Sequence, residues 1–193
     1  MDMTSNKSRR DILKKSAVGA AGTALQYQVY DTLMRVELPQ PIAAGAKFEF
    51  DIGWSFHVPT RVFRRYGTME TKKGTIWELA QWFPALAVYD DVHGWNTLPY
   101  LGSGEFYTNF GTYDLAVTVP SDHLVVATGV LQNPEEVYTA TQLERLAAAR
   151  TSRDTVIIRG KDEVGDTASR PKVGGPLCWR FHAENVRTVA FAS

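Results

Sequence analysis

Residues 47–58, KFEFDIGWSFHV, alternate apolar and polar or small side chains without a break. The apolar side chains all stand at even positions, which are Phe48, Phe50, Ile52, Trp54, Phe56 and Val58. Successive side chains of a strand point to opposite faces of the sheet, so the pattern predicts a strand with one buried face and one face in water. This segment therefore predicts a β structure.

The same period of two returns twice towards the C-terminus. Alternating apolar positions are Tyr113, Leu115, Val117 and Val119, and then Leu177, Trp179, Phe181 and Ala183. Shorter strands are predicted at residues 32–38, 75–80, 123–128, 155–159 and 186–192, with Gly- and Pro-containing turns between them. Many short strands with one apolar face, separated by turns, indicate a β-sandwich or an open, curved antiparallel sheet.

One helix is predicted over residues 141–150, TQLERLAAAR, where Leu143, Leu146 and Ala147 share a face among strong helix formers. Asn133-Pro134 before it has the character of a helix start. Residues 161–176 are polar and rich in Gly and Pro, which predicts a loop. We therefore expect a mainly β fold, either a β-sandwich or an open, curved antiparallel sheet, with one short helix.

Charge and cysteine content exclude several classes of protein. The 193 residues carry 21 Lys plus Arg and 21 Asp plus Glu, a formal net charge of zero. A nucleic-acid binder needs a basic surface to neutralise phosphates, so nucleic acid is not an expected partner. Cys178 is the one cysteine of the sequence, so neither an intramolecular disulfide nor a zinc site of paired thiolates can form within the chain.

The N-terminus resembles a twin-arginine export leader. Arg9 and Arg10 precede a run of small, weakly apolar residues, and no clear cleavage site follows. The run is about ten residues long, whereas a bilayer span needs about twenty apolar residues, so no stable membrane span is expected. We assign residues 1–26 to a leader and residues 27–193 to the folded domain, which predicts a periplasmic or extracytoplasmic location. The alternative is a disordered basic tail or a marginal helix without a role in export.

Residues 81–111 are rich in rings and interrupted by Gly and Pro, which indicates loops held on a scaffold. Carboxylates at Asp90, Asp91 and Glu105 either serve turns or bind a hard cation. Rings of Trp82, Trp95, Tyr100 and Tyr107 either cover the sandwich or stack against a ligand. A carbohydrate- or protein-binding β-sandwich module is therefore one hypothesis for the function.

The order of motifs in and after these loops resembles the bacterial branch of the aminopeptidase-N-type zinc metallopeptidases. The matching segments are Gln81-Trp82-Phe83-Pro84, Val88-Tyr89-Asp90-Asp91, Gly94-Trp95, Pro99-Tyr100-Leu101-Gly102, Gly104-Glu105-Phe106-Tyr107, Phe110-Gly111, Val119-Pro120, Ala127-Thr128-Gly129, Trp179-Arg180-Phe181 and residues 183–192. The resemblance covers roughly residues 32–193, and it is specific because a long series matches in order.

This resemblance implies the N-terminal, non-catalytic domain of such an enzyme, truncated before the catalytic domain. In the family that domain is an antiparallel curved β-sandwich of saddle-like shape, so we expect this fold, with one short helix, over residues 27–193. In the family the zinc ligands, including the H-E-x-x-H helix, belong to the catalytic domain, and the present sequence contains no H-E-x-x-H. We expect no catalytic or metal-ligating residue in this chain, no cofactor of its own, and peptide hydrolysis only with a catalytic domain.

A Gln or Glu of the N-terminal domain anchors the substrate's free amine in related enzymes. Gln81 is the first candidate here, and Glu105 is the second. The alternative for Gln81 is that its side chain fixes its own turn. We also expect self-association, because a truncated sheet leaves an unpaired edge and an uncovered apolar surface.

Overall fold

The computed structural model describes residues 16–19, 24–61, 65–100, 102, 107–171 and 175–193. Its strands, numbered along the chain, are β1 (Ser16–Gly19), β2 (Gln26–Tyr30), β3 (Leu33–Glu37), β4 (Phe50–Gly53), β5 (Tyr66–Thr71), β6 (Gly74–Leu79), β7 (Tyr89–Asp90), β8 (Gly94–Trp95), β9 (Gly111–Pro120), β10 (Val126–Ala127), β11 (Val130–Leu131), β12 (Pro176–Val186) and β13 (Phe191–Ala192). The helices are α1 (Pro134–Val137) and α2 (Ala140–Ala149). The predicted mainly β fold with a short helix is confirmed.

The chain divides into two compact units. One unit consists of Met1–His57 and Leu86–Tyr107, and the other of Val58–Ala85 and Thr108–Ser193. In the first unit, β1 pairs with β4, β2 pairs with β3 and β7 pairs with β8, all antiparallel. The predicted strand at 32–38 is confirmed as β3.

The strongly alternating segment 47–58 forms a strand only at β4, so the prediction of one continuous strand is wrong outside Phe50–Gly53. Exposure still alternates along it, since Ile52, Trp54 and Phe56 are half-buried between exposed neighbours. Phe50 itself is 42% exposed. β4 is as short as its partner β1, with four residues each, because the chain forms a strand only where a neighbouring backbone pairs with it.

The second unit contains two antiparallel sheets. One has the strand order β10-β13-β6-β5, and the other has the order β11-β12-β9. β9 and β12 pair from Pro120↔Pro176 to Gly111↔Val186, with a bulge between Ala183 and Val186. Both long strands that the alternation predicted are confirmed here, and the predicted strand at 75–80 is confirmed as β6.

Two segments change sheets at the same corner of the second unit. β10 and β11 are separated only by Thr128-Gly129, and the chain leaves β12 for β13 through residues 187–190. The two crossings are hydrogen-bonded, since Thr128 N donates to Ala190 O (3.0 Å) and Ala190 N donates to Thr128 Oγ1 (3.1 Å). Such bends let strands contribute to two sheets over one core.

Gly129 is required at this corner. Its φ is +101°, and a Cβ there would lie 2.4 Å from the backbone oxygen of His182. Glycine is the residue that accepts this φ without steric cost and lets another backbone approach closely. The sequence pattern at residues 123–128 and 186–192 predicts longer strands than Val126–Ala127 and Phe191–Ala192, and the sheet change is the reason that both are short.

The core of the second unit lies under β9 and β12. Its buried members are Leu115, Val117, Val125, Val137, Leu177, Trp179, Phe181 and Val189. Trp179 is only 1% exposed, and the ring of Tyr138 meets it edge-on at 5.2 Å between centroids. Cys178 lies between Trp179 and Leu177 on the opposite, half-exposed face, as the alternation predicts.

Helix α2 confirms the helix predicted at 141–150, and it begins with a capping box in which Thr139 and Gln142 satisfy each other's backbone N–H groups. Asn133 does not cap α1 through its side chain. Its amide instead bridges to β12, donating to Cys178 O (2.9 Å) and accepting from Arg180 N (2.9 Å). Asn133 therefore continues the ladder of β12 where β11 ends.

The predicted loop at 161–176 is anchored by Glu163. Arg145 Nη1 donates to Glu163 Oε2 (2.7 Å), and Gly160 N donates to the same oxygen (2.6 Å). The Arg145 guanidinium, followed by the Gly160 N–H, lowers the pKa of the Glu163 carboxyl. The predicted strand at 155–159 is wrong, because this apolar stretch runs as a connection without a strand partner.

Candidate binding surfaces

Gln81 lies in an exposed turn directly after β6, with a left-handed φ of 54°. Its side chain makes no hydrogen bond within the described ranges of the chain. The turn is held instead by the next two residues, since the Trp82 ring meets the rings of Phe83 and Phe191 edge-on at 5.5 and 5.4 Å. A non-glycine residue in this conformation is strained and persists where its surroundings fix it. The Gln81 amide is thus presented to solvent by a turn that it does not itself stabilise.

An open groove of about 370 Å³ lies beside this turn, across the four-stranded sheet. It is lined by Arg65, Glu78, Leu79, Ala80, Val126, Ala127, Ala190, Phe191 and Ala192. Small apolar side chains form most of the lining, and Arg65 and Glu78 supply two charges of opposite sign. Gln81 directly follows Ala80 of the lining but is not itself one of the lining residues.

Sequence reasoning missed the two charged residues of the groove. Arg65 belongs to a basic cluster that is typical of a solvated loop, and Glu78 occupies an unremarkable position of a strand. Glu78 is a charged residue within the otherwise apolar segment Ile76-Trp77-Glu78-Leu79, and this was the sequence feature that could have identified it. The groove itself arises because β10, β13 and β6 meet, and that pairing is not readable from the local sequence.

Among the other site residues predicted from the sequence, Glu105, Arg9 and Arg10 lie outside the described residues. Asp90 serves a turn in the first unit. Its Oδ1 accepts from the N–H groups of Val92 (2.9 Å) and His93 (2.6 Å), and its Oδ2 accepts from the Tyr107 hydroxyl (2.7 Å).

These hydrogen bonds stabilise the charged form of Asp90. The backbone N–H of His93, followed by the Tyr107 hydroxyl, lowers the pKa of the Asp90 carboxyl. The Asp90 carboxylate in turn raises the pKa of Tyr107. Within the part of the chain that the structure describes, no three His, Cys, Asp or Glu side chains are grouped as metal ligands would be.

The four aromatic residues singled out from the sequence fall into two settings. Trp82 is half-buried and packs against the core of the second unit. Trp95, Tyr100 and Tyr107 belong to the first unit and are 54%, 40% and 49% exposed. Trp95 pairs across β7 and β8 with Tyr89, which is 63% exposed, at 5.2 Å between ring centroids. The first unit therefore presents an exposed pair of rings next to the Asp90 turn.

A third polar cluster lies on the outer face of the β9–β12 pair. His182 Nδ1 is 2.7 Å from Asp114 Oδ1, and His182 Nε2 is 3.3 Å from Glu184 Oε1. The Asp114 carboxylate, followed by that of Glu184, raises the pKa of His182. Both ring nitrogens are occupied by carboxylates, so this cluster is a surface ion-pair network.

Comparison with protein-family models, with curated proteins and with solved structures finds no match for the chain. Neither helix in the described part of the chain has the length and hydropathy that a membrane span requires.

Proposed function

We propose that this chain is the non-catalytic N-terminal domain of an aminopeptidase-N-type zinc metallopeptidase. In this role it forms one wall of the cleft in which a separate catalytic domain, carrying the zinc, hydrolyses peptides. The ordered series of motifs from Gln81 to residue 192 supports the assignment, and the mainly β fold is compatible with it. Zinc chemistry belongs to the catalytic domain in this proposal.

The observation that carries the proposal is that Gln81, an exposed residue, directly follows Ala80 of the groove lining. An amide oxygen accepts hydrogen bonds from an ammonium group, and the Gln81 oxygen is not engaged by any described residue. The Glu78 carboxylate in the groove lining adds a negative charge that attracts the same ammonium. Small apolar residues of the lining accommodate a substrate side chain without a polar mismatch.

Binding of a free amine is the direct test. We would titrate the chain with a leucine-containing dipeptide amide and with its N-acetylated form, following backbone amides by NMR. Shifts are expected at residues 78–81, 126–127 and 190–192 with the free amine. Acetylation should weaken binding by roughly tenfold or more, because a hydrogen bond to a charged group contributes about 1.5–3 kcal/mol.

Gln81→Ala should weaken binding of the free amine to the level of the acetylated peptide. Gln40→Ala, which changes an exposed glutamine of a different loop, is the matched control and should bind as the unchanged chain does. Equal binding of both peptides, or shifts that avoid the groove, would refute the role of Gln81.

Family membership is tested by activity in trans. The purified chain should not hydrolyse aminoacyl substrates by itself, and a bacterial aminopeptidase that lacks its own N-terminal domain should gain activity when the chain is added. Chelator-sensitive hydrolysis by the chain alone, or no stimulation in trans, would contradict the proposal.

We propose export through the twin-arginine route for the same protein. Arg9→Lys combined with Arg10→Lys should retain the chain inside the cell, whereas Lys14→Arg should not change its distribution. Identical fractionation of the double variant and the unchanged chain would mean that the arginine pair is only a basic tail.

The exposed Tyr89–Trp95 pair supports a second candidate function, a carbohydrate-binding module. Sugar rings stack on exposed aromatic faces, and the hydrogen-bonded carboxylate of Asp90 lies in the same turn. Quenching of tryptophan fluorescence by an oligosaccharide that is lost in Trp95→Ala, but retained in Gln81→Ala, would favour this function over the peptidase domain.

A further inference from the structure

β9 is an edge strand of ten residues. Within the described residues it pairs with β12 on one side and with no strand on the other. An edge of this length presents a row of backbone N–H and C=O groups to which another chain can add.

The hydrogen bonds of β12 show which peptide groups of β9 face this open side. Gln132 N donates to Arg180 O, and Asn133 bonds Arg180 N and Cys178 O, so even-numbered residues of β12 face away from β9. Odd-numbered residues of β12 therefore face β9, and their register partners there are also odd-numbered. The peptide groups directed to the open side belong to Thr112, Asp114, Ala116 and Thr118.

β5, the edge of the other sheet, is protected in a way that β9 is not. Thr68 in the middle of β5 donates its N–H to Pro59 O (2.9 Å), so a neighbouring segment covers part of that edge. β5 also carries Glu70 and leads into Lys72-Lys73, and charges of this kind deter edge pairing. β9, GTYDLAVTVP, has one charged residue, Asp114, whose carboxylate already pairs with His182 of β12, and its one Pro stands at the last position.

We propose that β9 pairs with β9 of a second copy of this chain, antiparallel and centred on Ala116. A two-fold axis at Ala116 places Ala116 opposite its equivalent and Asp114 opposite Thr118 of the other copy. All of these positions direct N–H and C=O groups across the axis. On the other face, Leu115 stands opposite Val117, so the apolar faces of the two sheets become continuous.

Charge selects this register over its neighbour. Centring on Leu115 would put the two Asp114 carboxylates in diagonal positions, roughly 7–8 Å apart, where like charges repel. Centring on Ala116 moves them further apart and puts a Thr118 hydroxyl opposite each carboxylate. The formal net charge of zero offers no general repulsion between copies.

Sedimentation and gel filtration of the full chain between about 1 and 100 micromolar test the association. The unchanged chain should form a dimer of twice its 21.5 kDa mass. Ala116→Lys should raise the dissociation constant by about tenfold or more while leaving the circular dichroism spectrum unchanged. Met69→Lys, at an exposed position of β5, is the matched control and should dimerise as the unchanged chain does.

Cross-linking tests the register. In a Cys178→Ser background, Ala116→Cys should form a disulfide-linked dimer under mild oxidation, because directly opposed residues have Cα atoms about 5.5 Å apart. Thr112→Cys should not, since the two copies of residue 112 lie at opposite ends of the pairing. A monomer throughout the concentration range, a dimer that Ala116→Lys leaves intact, or preferential linking through Thr112→Cys would each overturn the proposal.

Discussion

The segment 47–58 and the pair β9–β12 have the same alternating pattern but different structures. Segment 47–58 has the longer unbroken alternation, yet only Phe50–Gly53 is a strand, and its apolar side chains are half-buried or exposed. β9 and β12 are paired along their length and bury Leu115, Val117, Trp179 and Phe181. Alternation thus predicts an extended chain, whereas the length of a strand depends on a partner of equal length and a core to cover.

Removal of a large side chain from each region should give the largest difference in stability between segment 47–58 and the β9–β12 pair. Trp179→Ala should destabilise the chain by about 3–5 kcal/mol, because a fully buried ring leaves a cavity in the core. Phe50→Ala should cost under about 1 kcal/mol, because that side chain is already 42% exposed. Urea unfolding followed by circular dichroism measures both. Equal losses would show that segment 47–58 carries a core of its own.

The sheet-changing corner is the next most sensitive point of the β9–β12 region. Gly129→Ala should cost about 3 kcal/mol, since its Cβ would collide with the backbone of His182 and its φ is left-handed. Gly165→Ala is the control, because its φ is +88° but no atom lies within 4 Å of the added Cβ. That change should cost only about 1 kcal/mol. Similar melting temperatures for the two variants would mean that the corner rearranges.

A smaller loss of stability is expected from removing the Asn133 amide, which bonds the backbone of β12 beyond the end of β11. Asn133→Ala removes the hydrogen bonds to Cys178 O and Arg180 N and should cost about 2 kcal/mol. Asn109→Ala, at an exposed site, should stay within about 0.5 kcal/mol of the unchanged chain. Hydrogen exchange at Arg180 should accelerate in the first variant alone. Unchanged protection of Arg180 would show that a neighbouring group replaces the amide.

The smallest expected effect concerns the cross-strand pair of Asp114 and His182. Because Asp114 and Glu184 raise the folded-state pKa of His182, its stabilising contribution is complete below the unfolded pKa of about 6.5 and is lost as the pH rises through the raised pKa. Asp114→Asn should lower the pKa of His182 in an NMR titration, and Asp154→Asn should not. If Asp114→Asn leaves the pKa of His182 unchanged, the contact between Asp114 and His182 across β9 and β12 would be contradicted.

The sequence predicted the parts of the fold that depend on local pattern. Strands β3, β6, β9 and β12 and helix α2 follow from alternation and from helix-forming residues. The hairpin strands β2 and β5 were missed. The sheet change at Gly129 was missed because its reason, the His182 backbone, lies more than fifty positions away along the chain.

The candidate site was predictable only in part. Gln81 was identified through the resemblance, but its exposed amide depends on Trp82 and Phe83 packing under the turn. Asp90 was visible as a carboxylate, and the Tyr107 hydroxyl that binds it was not. The β5–β6 hairpin brings Arg65 and Glu78 together, and the groove forms where β10 and β13, from a distant part of the chain, join this hairpin. Long-range pairing is the information that a local pattern lacks.

The pairing of β9 with β12 also has a consequence for synthesis on the ribosome. The hairpin β5–β6 can close as soon as it emerges, but Pro120 and its partner Pro176 are separated by 55 residues. At a translation rate of roughly 5–20 residues per second, β12 is synthesised several seconds after β9. Until then the face of β9 that carries Leu115 and Val117 is uncovered. During that interval the nascent chain is most exposed to chaperones and to neighbouring nascent chains on the same messenger.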